Sequence, residues 1–116
     1  MTLVFKISAI FFAAAIAYFS LQPAGNSIGP LHADKVQHFF AYGTLTFLTA
    51  FGWPKLRLPV VVVIAALFGI GIEIAQGLGG QGRMPSILDA IANGVGACLS
   101  AIIVRFIRKS RPFRSA

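Results

Sequence analysis

Hydrophobic residues in this chain come in long unbroken stretches, not in the alternation or the one-faced helical periodicity of a soluble core. The stretches run from about Leu3 to Leu21, Val36 to Trp53, Pro59 to Leu78 and Ser86 to Ile107. Each comes close to the roughly 20 apolar residues a helix needs to cross a hydrocarbon core. Pro and Gly mark the joints: Pro23, Gly25, Gly29 and Pro30, then Pro54 and Pro59, then Gly77 through Pro85. The pattern predicts an all-α integral membrane protein, a four-transmembrane-helix bundle forming a single domain over residues 1–116 with no internal repeat. The polar Gln22–Ala33 joint is expected to be irregular.

Composition sharpens this. The chain is 57% hydrophobic and 11% charged, against about 25% charged in a soluble domain. A soluble chain of 116 residues has too little interior to hide that much apolar surface. The net charge of +7, ten Lys and Arg against three acids, does not indicate a nucleic-acid partner, because the bases flank the apolar runs instead of forming one patch. Lys6, Lys55, Arg57, Arg105, Arg108, Lys109, Arg111 and Arg114 fall on one side of a four-span arrangement, and Lys35 and Arg83 on the other. The positive-inside rule then predicts that both termini are cytoplasmic. The basic tail reads first as a topology signal and second as an attraction for anionic headgroups. The first stretch is long for a signal peptide, and no small-x-small site precedes Gln22, so it is expected to remain as a span. Cys98, the lone cysteine, is expected to be a small buried thiol.

The polar residues inside the spans gather at one level. Asp34, Lys35 and His38 open the second segment, Glu73 and Gln76 close the third, Asp89 and Asn93 open the fourth, and Arg83 lies between the last two. At about 1.5 Å per helical residue, His38 and Asp89 sit roughly 6 Å below the non-cytoplasmic boundary and Glu73 roughly 8 Å. Asp34, His38 and Tyr42 form an i, i+4 ladder, as do Asp89 and Asn93, while Glu73 and Gln76 are spaced i, i+3. Each helix can therefore turn one polar stripe inward. Ionisable groups at such depth are costly and face the bundle interior, where they pair.

Two readings follow. In one, His38, Glu73 and Asp89 are candidate catalytic acid and base groups, and Asp34, Lys35, Tyr42, Gln76, Arg83 and Asn93 contact a polar headgroup, phosphate or sugar. In the other, Asp34 caps a helix, Lys35 snorkels, Arg83 sits among lipid phosphates, and Gln76, Asn93 and His38 are interhelical glue. No metal and no cofactor is expected: the cluster holds one histidine, His32 lies in the preceding joint, and no ligand pair has metal spacing. Gly77, Gly79, Gly80 and Gly82 read as a turn, not as a phosphate-binding loop. Close helix packing is expected along Ala9, Ala13 and Ala17, along Gly71 and Ala75, and along Ala92, Gly96 and Ser100. Phe39, Phe40 and Phe47 are expected to face lipid or fill packing gaps.

The run Asp34-Lys35-Val36-Gln37-His38-Phe39-Phe40-Ala41-Tyr42 with Leu45 resembles the signature of the VanZ-like membrane protein family. Glu73-Ile74-Ala75-Gln76, Arg83, Asp89 and Asn93-Gly94-Val95-Gly96 resemble its second half, and Ser20 and Pro23 fit the end of its first helix. The chain departs from the pattern in its glycine-rich segment between Gln76 and Arg83 and in Ser100, where Gly is common. The resemblance implies a four-helix domain of the bacterial cell envelope, multi-pass in the inner membrane. It also implies residues 34, 35, 38, 73, 76, 83, 89 and 93 as the family's polar set. The family's namesake is linked to resistance to teicoplanin, a glycopeptide, and many similar proteins have no such link. The functional expectation is a protein that binds or processes a lipid-linked or cell-wall intermediate, with membrane lipids as partners. The alternative is a non-enzymatic module whose polar residues hold the bundle together or dock a partner. Whether it is an enzyme and whether it forms a homo-oligomer are left open; transport is the weakest reading, because four short helices enclose little pathway.

Overall fold

A computed structural model describes residues 2–21, 33–78 and 87–110, with side chains in the second helix described from Val36 onward. The described residues form four helices and no strand: α1 (Thr2–Ser20), α2 (Ala33–Gly52), α3 (Leu58–Leu78) and α4 (Ile87–Ser110). These bounds fall within three residues of the expected segments. The α2–α3 turn at Trp53–Arg57 is short, and its Pro54 lies where the helical pattern stops, as a residue lacking an amide donor requires.

By length and composition α1, α3 and α4 can cross a membrane, and α2 is not among them. The fourth expected span therefore does not follow from hydropathy. The reason lies in the position of α2, which packs on all three other helices and most extensively on α4, whereas α1 meets α3 only slightly and does not touch α4. A helix enclosed by protein on several sides can carry Thr44, Thr46, Thr49 and His38 without presenting them all to hydrocarbon.

The outward faces are apolar. Leu3, Ile10, Phe11, Phe19, Leu67, Leu88 and Phe106 are each about half or more exposed, an arrangement a bilayer tolerates and water does not. Phe40 faces outward and Phe47 packs inside, as expected. Inside, the bundle is layered. Ile16, Tyr42 and Leu45 form one apolar cluster with Phe12 and Phe68 packed around it. Ala50, Val61 and Val104 form another nearer the α2–α3 turn.

The tightest helix crossing is between α2 and α4. A Cβ on Gly96 would collide with the Phe39 carbonyl oxygen and stand 3.0 Å from its carbon, and one on Gly43 would stand 3.3 Å from the Gly96 carbonyl oxygen. Backbones in contact gain dispersion energy that lipid cannot match, which is how small residues drive association in membranes. Ala9 and Ser100 are buried as their rows predict. Gly71 is not at an interface: nothing lies within 4 Å of where its Cβ would be. The small residue that matters on α3 is Gly69, which lies on the buried stripe Val61, Ala65, Gly69, Ile72, Glu73, Gln76. Cys98 is exposed and not buried, because α4 turns the 93, 96, 97, 100, 101 and 104 positions inward and position 98 falls on the opposite face.

Candidate functional site

The polar positions of α2, α3 and α4 meet at the end of the bundle where α1 and α3 finish and α2 and α4 begin. The helical stripes converge because each polar residue continues a buried apolar stripe: His38 one turn before Tyr42, Glu73 one turn after Gly69, Asp89 and Asn93 two turns and one turn before Gly96. Glu73, Asp89 and Asn93 are buried, although carboxylates are among the groups most expensive to remove from water.

His38 is the hub. Its Nδ1 donates to Asn93 Oδ1 at 2.9 Å, an amide oxygen having no proton to give. Its Nε2 lies 3.7 Å from Asp89 Oδ2, with both side chains almost enclosed. A ligand atom each of His38, Glu73 and Asp89 falls within 4.8 Å of the others. Three helices thus bring an imidazole and two carboxylates, distant in sequence, to one point.

Tyr42 forms the floor. Its ring lies parallel to that of His38 at 6.2 Å between centroids and tilts against Phe68 at 6.1 Å. It is 1% exposed, and its hydroxyl has no hydrogen-bond partner among the described residues. Gly69 makes this layer possible: a Cβ there would stand 2.8 Å from Asn93 Nδ2 and 3.1 Å from Tyr42 Cε2.

Gln76 does a different job. Its side-chain nitrogen donates to the Ser20 carbonyl oxygen at 2.7 Å, satisfying one of the carbonyls left over at the end of α1. It ties α1 to α3 and is one of the interhelical links foreseen for it. Asp34 and Lys35 stand in the first turn of α2, and their side chains lie outside the described residues, as does Arg83. His38, Tyr42, Glu73, Asp89 and Asn93 are therefore the candidates brought together. Gly69 was missed, although a glycine one turn from a buried glutamate on the same helix face was a usable signal.

A cavity of about 390 Å³ runs from Phe68 toward the α2–α3 turn, lined by Ala13, Leu45, Thr49, Trp53, Ala65 and Phe68 among others. It holds no titratable group, so the chemistry lies in the polar cluster and not there. The two are adjacent, since Phe68 lines the cavity and packs on Tyr42. At the far end of the bundle Lys6 Nζ lies 5.8 Å from the centre of the Trp53 ring. There Arg108 donates to the Ala50 carbonyl oxygen at 2.8 Å, and Lys55, Arg57, Arg105 and Lys109 are exposed. Acids and described bases therefore occupy opposite ends.

Apolar helices around a buried ionisable cluster define a helical membrane protein with an internal polar site. The VanZ/LLP1 family model matches residues 2–108, nearly the whole chain, and the chain belongs to that family. No curated protein and no solved structure gives a significant match.

Proposed function

We propose that this VanZ-family protein crosses the bacterial inner membrane four times with both termini cytoplasmic, and that its polar cluster binds the headgroup of a polar lipid or lipid-linked cell-wall intermediate. The observation that carries this reading is the meeting of His38, Glu73 and Asp89 within 4.8 Å from three helices. Membrane proteins rarely bury such groups, and those they do bury mark substrate or proton sites by default. Charge segregation supports the orientation, because the bases at the opposite end follow the positive-inside pattern.

The parts fit a lipid with a polar head. Glu73 or Asp89 serves as acid or base with His38 as proton partner, and Asn93 fixes the ring so that Nε2 faces Asp89. Lys35 and Arg83 are assigned to an anionic headgroup on sequence position alone. The apolar cavity beyond Phe68 offers room for the hydrocarbon, its volume falling in the roughly 300–1,000 Å³ of ligand sites. Teicoplanin resistance belongs to this reading only if the bound intermediate is one that glycopeptides target.

The test is lipid retention. The protein is purified in mild detergent from bacterial membranes, and bound lipids are identified by native mass spectrometry. Retention of a polar or lipid-linked species by wild type and its loss in His38→Ala, Glu73→Gln and Asp89→Asn supports the reading. Equal retention in all four rejects it. A second reading, in which the polar set holds the bundle, is favoured by the Gln76–Ser20 and His38–Asn93 bonds. It predicts loss of folding, with no specific lipid retained.

A further inference from the structure

We propose that His38, Glu73 and Asp89 hold a divalent cation of borderline softness, Zn²⁺ or Mn²⁺, between α2, α3 and α4. The proposal rests on the reading of this cluster as a functional site and adds the ion that would work in it. The sequence contains no ligand pair at metal spacing; the fold supplies the spacing from three helices instead.

The distances suit a shared ion. Ligand atoms on one tetrahedral ion at about 2.1 Å stand roughly 3.4 Å apart. His38 Nε2 and Asp89 Oδ2 are 3.7 Å apart, and a Glu73 oxygen lies within 4.8 Å of both. Small side-chain adjustments would close the set.

The second observation is the role of Asn93. Because its Oδ1 can only accept, the His38 Nδ1 carries a proton, and in the neutral ring the Nε2 lone pair is aimed at the Asp89 carboxylate. One ion could take that lone pair and an Asp89 oxygen together, since the two atoms stand 3.7 Å apart. Metal-bound histidines typically donate their other N–H to an oxygen, which orients the ring and makes it more basic. Asn93 does so here, held against α3 by the space Gly69 leaves.

The donor set selects the ion. One imidazole and two carboxylates are too nitrogen-rich for Ca²⁺ and too hard for Cu⁺, and suit Zn²⁺ or Mn²⁺. Three protein ligands leave further positions open, as in catalytic sites, and a headgroup phosphate oxygen or a water could occupy one.

The test begins with wild type purified in mild detergent without chelator, its metal content measured by inductively coupled plasma mass spectrometry. The same protein is then stripped with EDTA and titrated with ZnCl₂ or MnCl₂ while the unfolding midpoint is followed. The proposal expects about one ion per chain and a midpoint that rises by several degrees on adding either metal. His38→Ala and Asp89→Asn should lose both responses. His32→Ala and Cys98→Ser, which remove donors elsewhere, should keep them. Wild type that neither carries nor responds to Zn²⁺ or Mn²⁺ overturns the proposal, whether or not the variants fold. A response that survives His38→Ala and disappears in His32→Ala or Cys98→Ser also overturns it. Metal-free wild type that still loses its retained lipid on Glu73→Gln overturns the ion alone and leaves the headgroup site standing.

Discussion

His38 and Asn93, on α2 and α4, are joined by a 2.9 Å hydrogen bond that sets which imidazole nitrogen faces the buried carboxylate of Asp89. The bond lies about one helical turn from the Gly96 crossing, where the two backbones touch. Packing and chemistry are therefore coupled: the closeness of α2 and α4 determines whether the imidazole is held in place.

A double-mutant cycle on His38 and Asn93 measures that bond. Interhelical polar pairs in membranes average about 0.6 kcal/mol and reach about 1.7. The coupling from His38→Ala, Asn93→Ala and the double variant, read from unfolding in detergent, should fall in that range. Zero coupling would mean that the two side chains do not interact.

Gly96→Ala should destabilise the bundle, because the new Cβ would run into the Phe39 carbonyl group and backbone cannot step aside as a side chain does. Overpacking costs typically about 1–3 kcal/mol, seen as a lower unfolding midpoint. Gly71→Ala, with open space at the same position, should leave the midpoint where it is or raise it slightly, since alanine is the better helix former.

Gly69→Ala should act on the site more than on the fold. The added methyl would stand 2.8 Å from Asn93 Nδ2, and displacing that amide releases His38. Lipid retention should drop while helix content by circular dichroism stays near wild type. Unchanged retention would show that the His38 orientation is immaterial.

Gln76→Leu should loosen α1. It leaves the half-buried Ser20 carbonyl without the 2.7 Å bond it accepts, a loss at the low end of the about 1–3 kcal/mol for an unsatisfied buried acceptor. Faster proteolysis near the end of α1, with lipid retention intact in the surviving protein, is the expected signature.

Ala65→Phe should fill the apolar cavity from α3, where Ala65 is one of its walls. If the cavity takes a hydrocarbon chain, retained lipid falls while the polar cluster is untouched. Retention equal to wild type would place the chain elsewhere.

Helix number and approximate bounds could be read from the apolar stretches, since crossing a hydrocarbon core forces long continuous runs. The level shared by His38, Glu73 and Asp89 was legible for a similar reason: rise per residue converts position into depth. What sequence could not supply was rotation about each helix axis relative to its neighbours. Gly71 and Gly69 are two residues apart, yet only Gly69 faces the bundle, and Cys98 points outward beside buried Ala97. Nor could hydropathy reveal α2 as the helix enclosed by the others, because enclosure is a property of the assembled bundle. The Gln76–Ser20 bond was equally hidden, since a backbone carbonyl exists at every position and only geometry selects one.

The most direct test of a cluster kept for function is the unfolding midpoint of Glu73→Gln beside wild type, both stripped of metal in the same mild detergent. Gln keeps the shape and removes the charge of a residue that is 6% exposed. The functional account predicts an unchanged or higher midpoint, because active sites retain charges that do not benefit the fold. A fall equivalent to the roughly 3–5 kcal/mol lost when a buried ion pair is broken would contradict it and make Glu73 a structural member of the bundle.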